Sequence, residues 1–243
     1  MLLSYADAHR AQQFLADIQE GSKTPIEQRW RALSSPAVRS SLFVPVGLTV
    51  LQQVTGTNTI IYYGPRIFAL AGSTSHSGAI VATLLVAIVN VIATVVGISL
   101  VDHVGRKPLL YIGVSGMTLA LFSLSYAFNH DATPGSSMGM IAIACLMVYI
   151  ACFAFSLGAI AWILVAEVFP LRVRGRGVAA ATLGSGISNF AVSFTFLSLI
   201  NAIGSGYTFA IYGTLSMVTL VFVRFAVPET GGRELESISL GGT

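Results

Sequence analysis

Long apolar stretches separated by short polar segments make up most of the chain. Each stretch reaches the roughly 20 residues that a helix needs to cross a bilayer. The pattern therefore predicts an all-α membrane protein with six transmembrane helices. They are predicted at residues 42–70, 79–101, 109–128, 138–165, 177–200 and 207–227.

The two ends of the chain are more polar than the rest. Residues 1–40 mix acidic and basic side chains, and the apolar spacing around Phe14 predicts a short amphipathic helix there. This segment lacks the apolar core of a signal peptide. We therefore predict a cytoplasmic segment at 1–40, a transmembrane domain at 41–228 and a cytoplasmic tail at 229–243.

Basic residues alternate between the predicted loops. The loops 71–78, 129–137 and 201–206 contain no Lys or Arg, whereas the loops near 102–107 and 167–176 hold five. Loops rich in Lys and Arg stay in the cytoplasm. The pattern predicts a multi-pass protein of a plasma or inner membrane with both termini cytoplasmic.

The composition excludes several classes of protein. Hydrophobic residues make up 54% of the chain and charged residues only 9%, against about 25% charged in a typical soluble domain. The net charge of +3 is small, and the basic residues form no patch for a nucleic acid. Cys145 and Cys152 share one apolar stretch and the histidines are scattered, so we expect no disulfide, metal site, cofactor or enzyme activity.

One apolar stretch contains an unusual run of polar side chains, QQVTGTNTIIYYG at residues 52–64. Polar groups at membrane depth face a cavity or a neighbouring helix, because an unpaired amide in hydrocarbon costs several kcal/mol. Gln and Asn both donate and accept hydrogen bonds without carrying charge, which suits a sugar or polyol. Hydrogen bonding between helices would equally explain these amides.

The spacing within this run predicts a broken helix. On an ideal helix Gln53 and Asn58 lie about 140° apart, so one straight helix would not direct both at a small ligand. Gly56 is the predicted break, since interrupted helices line many transporter sites. Asn58 and Tyr62 are one turn apart and would share a face.

Other polar or small residues in the spans carry weaker signals. Asn90 and Asn189 are isolated amides, and either a ligand or a hydrogen bond between helices would explain each of them. Trp162 fits an interfacial aromatic belt, with Gly158 leaving space beside it. Close helix packing explains the glycines of the fifth span, which are Gly175, Gly177, Gly184 and Gly186.

Charged residues cluster at three predicted cytoplasmic turns. The first is DHVGRK, Asp102 to Lys107, a compact turn. In the second, Glu167 and Arg174 lie seven residues apart around a proline, and the third begins at Glu229. Single surface ion pairs contribute only about 0–1 kcal/mol, but several together can bias two conformations that differ by a few kcal/mol.

These motifs, with EVFPLRVRGRG and VPETGGRELESI, resemble the C-terminal half of the sugar porter family in the major facilitator superfamily. The resemblance covers essentially the whole chain in the correct order. It implies six helices forming one half of a major facilitator fold, and a carrier of a sugar or polyol that works by alternating access as a symporter or a facilitator.

The resemblance also implies roles for individual residues. It assigns substrate binding to Gln52, Gln53, Asn58, Asn90, Phe153, Trp162 and Asn189, and an outer gate to Tyr62 and Tyr63. It assigns a cytoplasmic charge network to Asp102, Arg106, Glu167 and Arg174, with which we group Lys107 and Glu229.

Four positions depart from the family pattern. A proline usual after Gly158 is replaced by Ala159, and the arginine usual in the first charged loop is His103. Gly186 stands where many members have tryptophan, and Gly231 stands where lysine is usual. The substituted tryptophan leaves the identity of the sugar open.

Half of such a fold does not alternate access alone. We therefore expect a second six-helix half, on a separate chain in preference to a second copy, to cover the buried amides. The alternative hypothesis is a non-transporting sugar-binding or regulatory membrane protein, or a truncated half that pairs with another transporter.

Overall fold

A computed structural model of the chain describes residues 36–62, 76–130, 136–169 and 174–227, and every regular element in them is helical. The prediction of an all-α protein is confirmed. In chain order the elements are α1 Pro36–Val54, α2 Thr57–Tyr62, α3 His76–Val104, α4 Arg106–Asn129, α5 Ser137–Phe153, a π-helical turn Ala154–Gly158, α6 Ala159–Val168 and α7 Arg174–Ala226.

Long apolar helices account for five of the six predicted spans. Four stretches of the described residues are long and apolar enough to cross a membrane: Leu84–Val101, Arg106–Asn129, Ser137–Glu167 and Arg174–Ala226. The last contains two predicted spans. The first predicted span is divided between α1 and α2, and α1 begins at Pro36 rather than at residue 42. Three predicted segments lie outside the described residues: residues 63–70 of the first predicted span, the segment around Phe14, and the tail from residue 228.

The longest helix, α7, is two helices joined end to end. Its 53 residues would extend about 80 Å if straight, far more than the roughly 30 Å of a hydrocarbon core. Gly204 interrupts it with φ 84° and ψ 163°. The predicted loop 201–206 is therefore wrong in extent, because only Gly204 within it leaves the helical conformation.

The turn between α3 and α4 is as compact as the DHVGRK motif predicts. Gly105 alone separates the two helices and has φ 93°. A side chain rarely adopts that conformation, so glycine suits the position.

The core is built around α4, which contacts α5 on one side and α7 on another. Leu110, Met117 and Leu121 of α4 are fully buried. The membrane-length apolar stretch of α4, Arg106–Asn129, is 56% buried. The corresponding stretch of α3, Leu84–Val101, is only 11% buried. Because the exposed side chains of α3 are mostly large and apolar, that helix suits contact with hydrocarbon.

Candidate functional site

The polar run of the first span forms a break between α1 and α2. The first helix ends at Val54 and the second begins at Thr57. Gly56 has φ 86°, which confirms the predicted position of the break. A Cβ atom on Gly56 would lie only 3.0 Å from Cδ1 of the buried Tyr212 ring. Both the backbone conformation and the available space therefore require glycine.

The break brings together two amides that a straight helix would separate. Asn58 Nδ2 donates to Gln53 Oε1 over 2.6 Å, although the two residues are five apart in sequence. Gln53 Nε2 in turn donates to Ser185 Oγ of α7 over 3.0 Å. The three side chains form one hydrogen-bonded row, in which Asn58 is half-buried and the other two are buried.

Gln52 lies beside this row but contacts a different helix. Its Nε2 donates to the Leu157 carbonyl, in the π-helical turn, over 2.9 Å. Its Oε1 is buried and has no hydrogen-bond partner among the described residues. Because an unsatisfied buried acceptor costs about 1–3 kcal/mol, Gln52 Oε1 is a suitable acceptor for a ligand hydroxyl.

Tyr149 of α5 forms hydrogen bonds to the residues on both sides of the break. Its hydroxyl donates to the Thr55 carbonyl over 2.9 Å and lies 2.8 Å from Thr57 Oγ1. A phenol has one proton and a carbonyl only accepts, so Thr57 donates to Tyr149. The side chain is fully buried. One tyrosine thus bonds to both residues that flank Gly56.

The fourth predicted span, 138–165, is not a continuous α-helix. The π-helical turn Ala154–Gly158 interrupts it and packs directly on α3. A Cβ on Gly97 of α3 would lie 2.6 Å from Phe155 Cα, so the two backbones approach as closely as a glycine allows. Ser156 Oγ of this turn donates to the Cys152 carbonyl in the last turn of α5 over 2.5 Å.

Phe153 and Trp162 lie on either side of the π-helical turn. A Cβ on Gly158 would lie 3.1 Å from the Phe153 carbonyl oxygen and 3.2 Å from its ring. Phe153 therefore lies against Gly158, and the prediction that Gly158 leaves space beside Trp162 stays a prediction. Trp162 is 39% exposed, and its role in a sugar site stays a prediction.

Asn189 of α7 and Asn90 of α3 are both half-buried. Asn189 lies one turn beyond Ser185, the partner of Gln53, and its Oδ1 accepts from Ser193 Oγ over 3.3 Å. Asn90 lies two turns before Gly97, so it shares the face of α3 that packs on the π-helical turn. Within the described residues the Asn90 amide makes no hydrogen bond to the row of Gln53, Asn58 and Ser185.

The glycines of the fifth span differ in how closely other residues pack against them. A Cβ on Gly177 would lie 2.6 Å from the Phe169 ring, and one on Gly184 would lie 3.2 Å from Val50. Close packing is confirmed at these two positions. No atom of the described residues lies within 4 Å of a Cβ built at Gly175 or Gly186, so the described packing does not explain those glycines.

Charged side chains meet at the ends of α4 and α6. Arg106 and Glu167 form an ion pair with an N to O distance of 2.8 Å, and their side chains are 15% and 29% exposed. Lys107 Nζ donates to the Arg224 carbonyl in the last turn of α7 over 3.2 Å. Arg174 Nε donates to the Phe169 carbonyl over 3.3 Å. Two of the three predicted charge clusters, the one with Arg106 and the one with Glu167, therefore make contacts at helix ends.

Several predicted site residues cannot be compared with the structure. Tyr63 and Glu229 lie outside the described residues. The backbones of Tyr62 and Asp102 are helical, and nothing further is described of their side chains. The outer gate and part of the charge network stay predictions.

Sequence analysis missed two residues of this site. Ser185 lies in the small-residue run of the fifth span, where packing was the simplest explanation, and its hydroxyl was not considered. Tyr149 is a single tyrosine among apolar residues. A hydroxyl isolated in a span needs a partner, and that requirement was the available signal.

The features described so far define a helical integral membrane protein with a row of neutral amides at a helix break. Comparison with known proteins identifies the family. The family model described as "Sugar (and other) transporter" matches residues 5–240. The chain therefore belongs to the sugar transporter family.

Individual relatives match about half of their own length. YwtG of Bacillus subtilis (strain 168), named for metabolite transport, is 41% identical over 227 residues, which cover 93% of this chain and 49% of that protein. The D-xylose transporter of Levilactobacillus brevis is 37% identical over 222 residues, covering 91% of this chain and 48% of the relative.

A solved structure has the same arrangement of helices. It is the proton:xylose symporter XylE bound to 6-bromo-6-deoxy-D-glucose, with a TM-score of 0.76 and 31% identity over 95% of this chain and 47% of that chain. The coverage of about half agrees with the prediction that these residues correspond to one half of a major facilitator fold.

Proposed function

We propose that the chain binds a sugar or polyol and takes part in its transport across a membrane. The observation that supports this proposal is the hydrogen-bonded row of Gln53, Asn58 and Ser185 at a helix break. A carrier with this role catalyses no covalent reaction.

The chemistry of the row matches a polyhydroxylated ligand. Each sugar hydroxyl donates one hydrogen bond and accepts others, and carboxamides do both without the desolvation cost of a charge. Gln52 Oε1 adds a buried acceptor, and Asn58 is only half-buried. A relative named for D-xylose transport and a solved structure with a bound glucose derivative support a sugar as the ligand.

Transport by alternating access also needs a second six-helix unit. Three amide side chains are half-buried, those of Asn58, Asn90 and Asn189. An amide that faces lipid at membrane depth without a hydrogen-bond partner costs free energy. A facing unit would cover them and complete the cavity. We propose a separate N-terminal unit in preference to a second copy, because this chain matches only about half of the length of its relatives.

The test of the binding site is the substitution Asn58→Ala. Loss of its hydrogen bonds should weaken D-xylose binding by about 1–3 kcal/mol, since polar partners are left unpaired. The matched control is Asn201→Ala, because Asn201 is an exposed asparagine of α7. Equilibrium binding of radiolabelled D-xylose in native membranes measures the effect.

Two results would decide between the proposed function and its alternatives. Unchanged affinity with a lowered unfolding temperature would mean that Asn58 only joins helices. Saturable uptake by proteoliposomes that contain this chain would contradict a non-transporting regulatory role, and binding without uptake would support that role or the need for a second unit.

The proposed orientation places the Arg106–Glu167 pair and both termini in the cytoplasm. Single cysteines at Ser75, Thr133 and Ser205, in a chain with Cys145 and Cys152 replaced by alanine, should react with an impermeant maleimide added outside intact cells. A cysteine at His103 should react only after the cells are opened. Reaction at His103 in intact cells would reverse the proposed orientation.

A further inference from the structure

The break between α1 and α2 carries the amides of the proposed sugar site, and a buried hydroxyl holds both of its sides. We propose that Tyr149 is a positioning residue for sugar binding, because its hydroxyl fixes the direction of α2 so that Asn58 meets Gln53. This inference rests on the proposed function. It assigns a role to a residue of α5 that does not itself bond to the amide row.

The backbone at the break requires a partner from outside α1 and α2. In an unbroken helix the Thr55 carbonyl would accept the N–H of residue 59. Here the backbone resumes from Gly56, whose carbonyl accepts the N–H of Ile60 over 3.0 Å. The Thr55 carbonyl instead accepts the hydroxyl of Tyr149. The tyrosine therefore replaces a helical hydrogen bond that the break removes.

The second hydrogen bond acts on α2 itself. This helix has six residues, and isolated helices so short are unstable in the absence of tertiary contacts. Thr57, its first residue, bonds to Tyr149 over 2.8 Å, and Asn58 follows directly. The direction in which α2 leaves the break, and with it the position of the Asn58 amide, therefore depends on a contact with α5.

Tyr149 is suited to this role because it is itself held firmly. Its ring is 0% exposed and belongs to the main hydrophobic core together with Leu146 and Ile150 of the same helix. A hydroxyl on a side chain packed to that degree has a fixed position. The ring and the hydroxyl have separable functions, since Tyr149→Phe keeps the packing and removes only the hydrogen bonds.

The experiment is a double-mutant cycle on D-xylose affinity in native membranes. Tyr149→Phe removes the hydrogen bonds to Thr55 and Thr57 and should weaken binding about three- to tenfold, since binding loses only the part of their contribution that positions Asn58. In the Asn58→Ala background the same substitution should have no further effect, because residues that act through one another are not additive. A general loss of stability would instead weaken both backgrounds equally. Full additivity, or wild-type affinity in Tyr149→Phe, would overturn the proposal.

The matched control is Tyr111→Phe. Tyr111 is a tyrosine of α4 whose hydroxyl is buried and has no hydrogen-bond partner among the described residues. Its removal should leave D-xylose affinity within twofold of the wild type. An equal loss in both tyrosine variants would contradict a specific role for Tyr149.

A second measurement requires no sugar and separates this inference from the proposed function. A cysteine replaces Asn58 in a chain with Cys145 and Cys152 changed to alanine, and its rate of reaction with a methanethiosulfonate reagent is measured. Adding Tyr149→Phe should change that rate severalfold, and adding Tyr111→Phe should not. An unchanged rate overturns the positioning role whatever the sugar data show. A changed rate in a protein that binds no sugar supports the positioning of α2 and overturns only the proposed function.

Discussion

Two glycines of the chain have nearly the same positive φ in very different surroundings. Gly56 has φ 86° and Gly204 has φ 84°. At Gly56 an added Cβ would lie 3.0 Å from the ring of Tyr212, whereas at Gly204 it would meet no atom of the described residues within 4 Å. Gly56 is buried and Gly204 is exposed.

The difference separates two uses of a helix break. At Gly204 the break ends one span and begins the next, and Thr208 of the same helix α7 donates its hydroxyl to the Gly204 carbonyl over 2.8 Å. At Gly56 hydrogen bonds from Tyr149 and the ring of Tyr212 fix the break from two helices. A break that is packed in this way serves to place side chains, which is the arrangement expected at a binding site.

The largest expected effect is that of Gly56→Ala. A side chain at positive φ costs about 1–2 kcal/mol, and forcing a methyl group against a packed ring adds about 1–3 kcal/mol. The free energy of unfolding should therefore fall by about 2–5 kcal/mol, with loss of D-xylose binding. Unfolding in mixed micelles by titration with dodecyl sulfate measures the stability.

A control for this effect uses Tyr212→Leu, which removes the ring that faces Gly56. In that background Gly56→Ala should cost about 1 kcal/mol less, since contacting residues are energetically coupled. An undiminished cost would mean that the backbone conformation alone disfavours alanine at Gly56.

Gly204→Ala should have a smaller effect. Only the backbone conformation, with φ 84° and ψ 163°, disfavours a side chain there, so the expected loss of stability is about 1–3 kcal/mol, and D-xylose affinity should not change. The same unfolding titration and binding assay make the comparison direct. A loss at Gly204 equal to that at Gly56, or impaired sugar binding, would show that the surroundings of the two glycines do not matter.

The break at Gly56 could be predicted from sequence because a straight helix would not direct both polar side chains at one ligand. Gln53 and Asn58 are about 140° apart on a straight helix, and glycine lies between them. The compact turn at Gly105 was predictable for a similar reason, since the polar segment there is too short for anything longer. The helical class followed from hydropathy alone.

Other features depend on contacts that no local pattern records. The π-helical turn arises where Phe155 meets Gly97 of α3, and a run of apolar residues is compatible with either kind of helix. Ser185 and Tyr149 bond to residues 132 and 94 positions away. The exact end of a helix at Gly204 also escaped prediction, because the polar residues around it are common both in loops and in helix ends.

The short separation between Asn58 and Gln53 has a consequence for biosynthesis. Their hydrogen bond joins residues five apart, so it can form as soon as the first span leaves the ribosome. Ser185, the other partner of Gln53, follows 132 residues later, about 7–26 seconds at the usual rates of synthesis of about 5–20 residues per second. During that interval the hydrogen bond between Asn58 and Gln53 shields part of both amides from hydrocarbon. It would therefore stabilise the polar first span in the membrane until the helix that carries Ser185 is made.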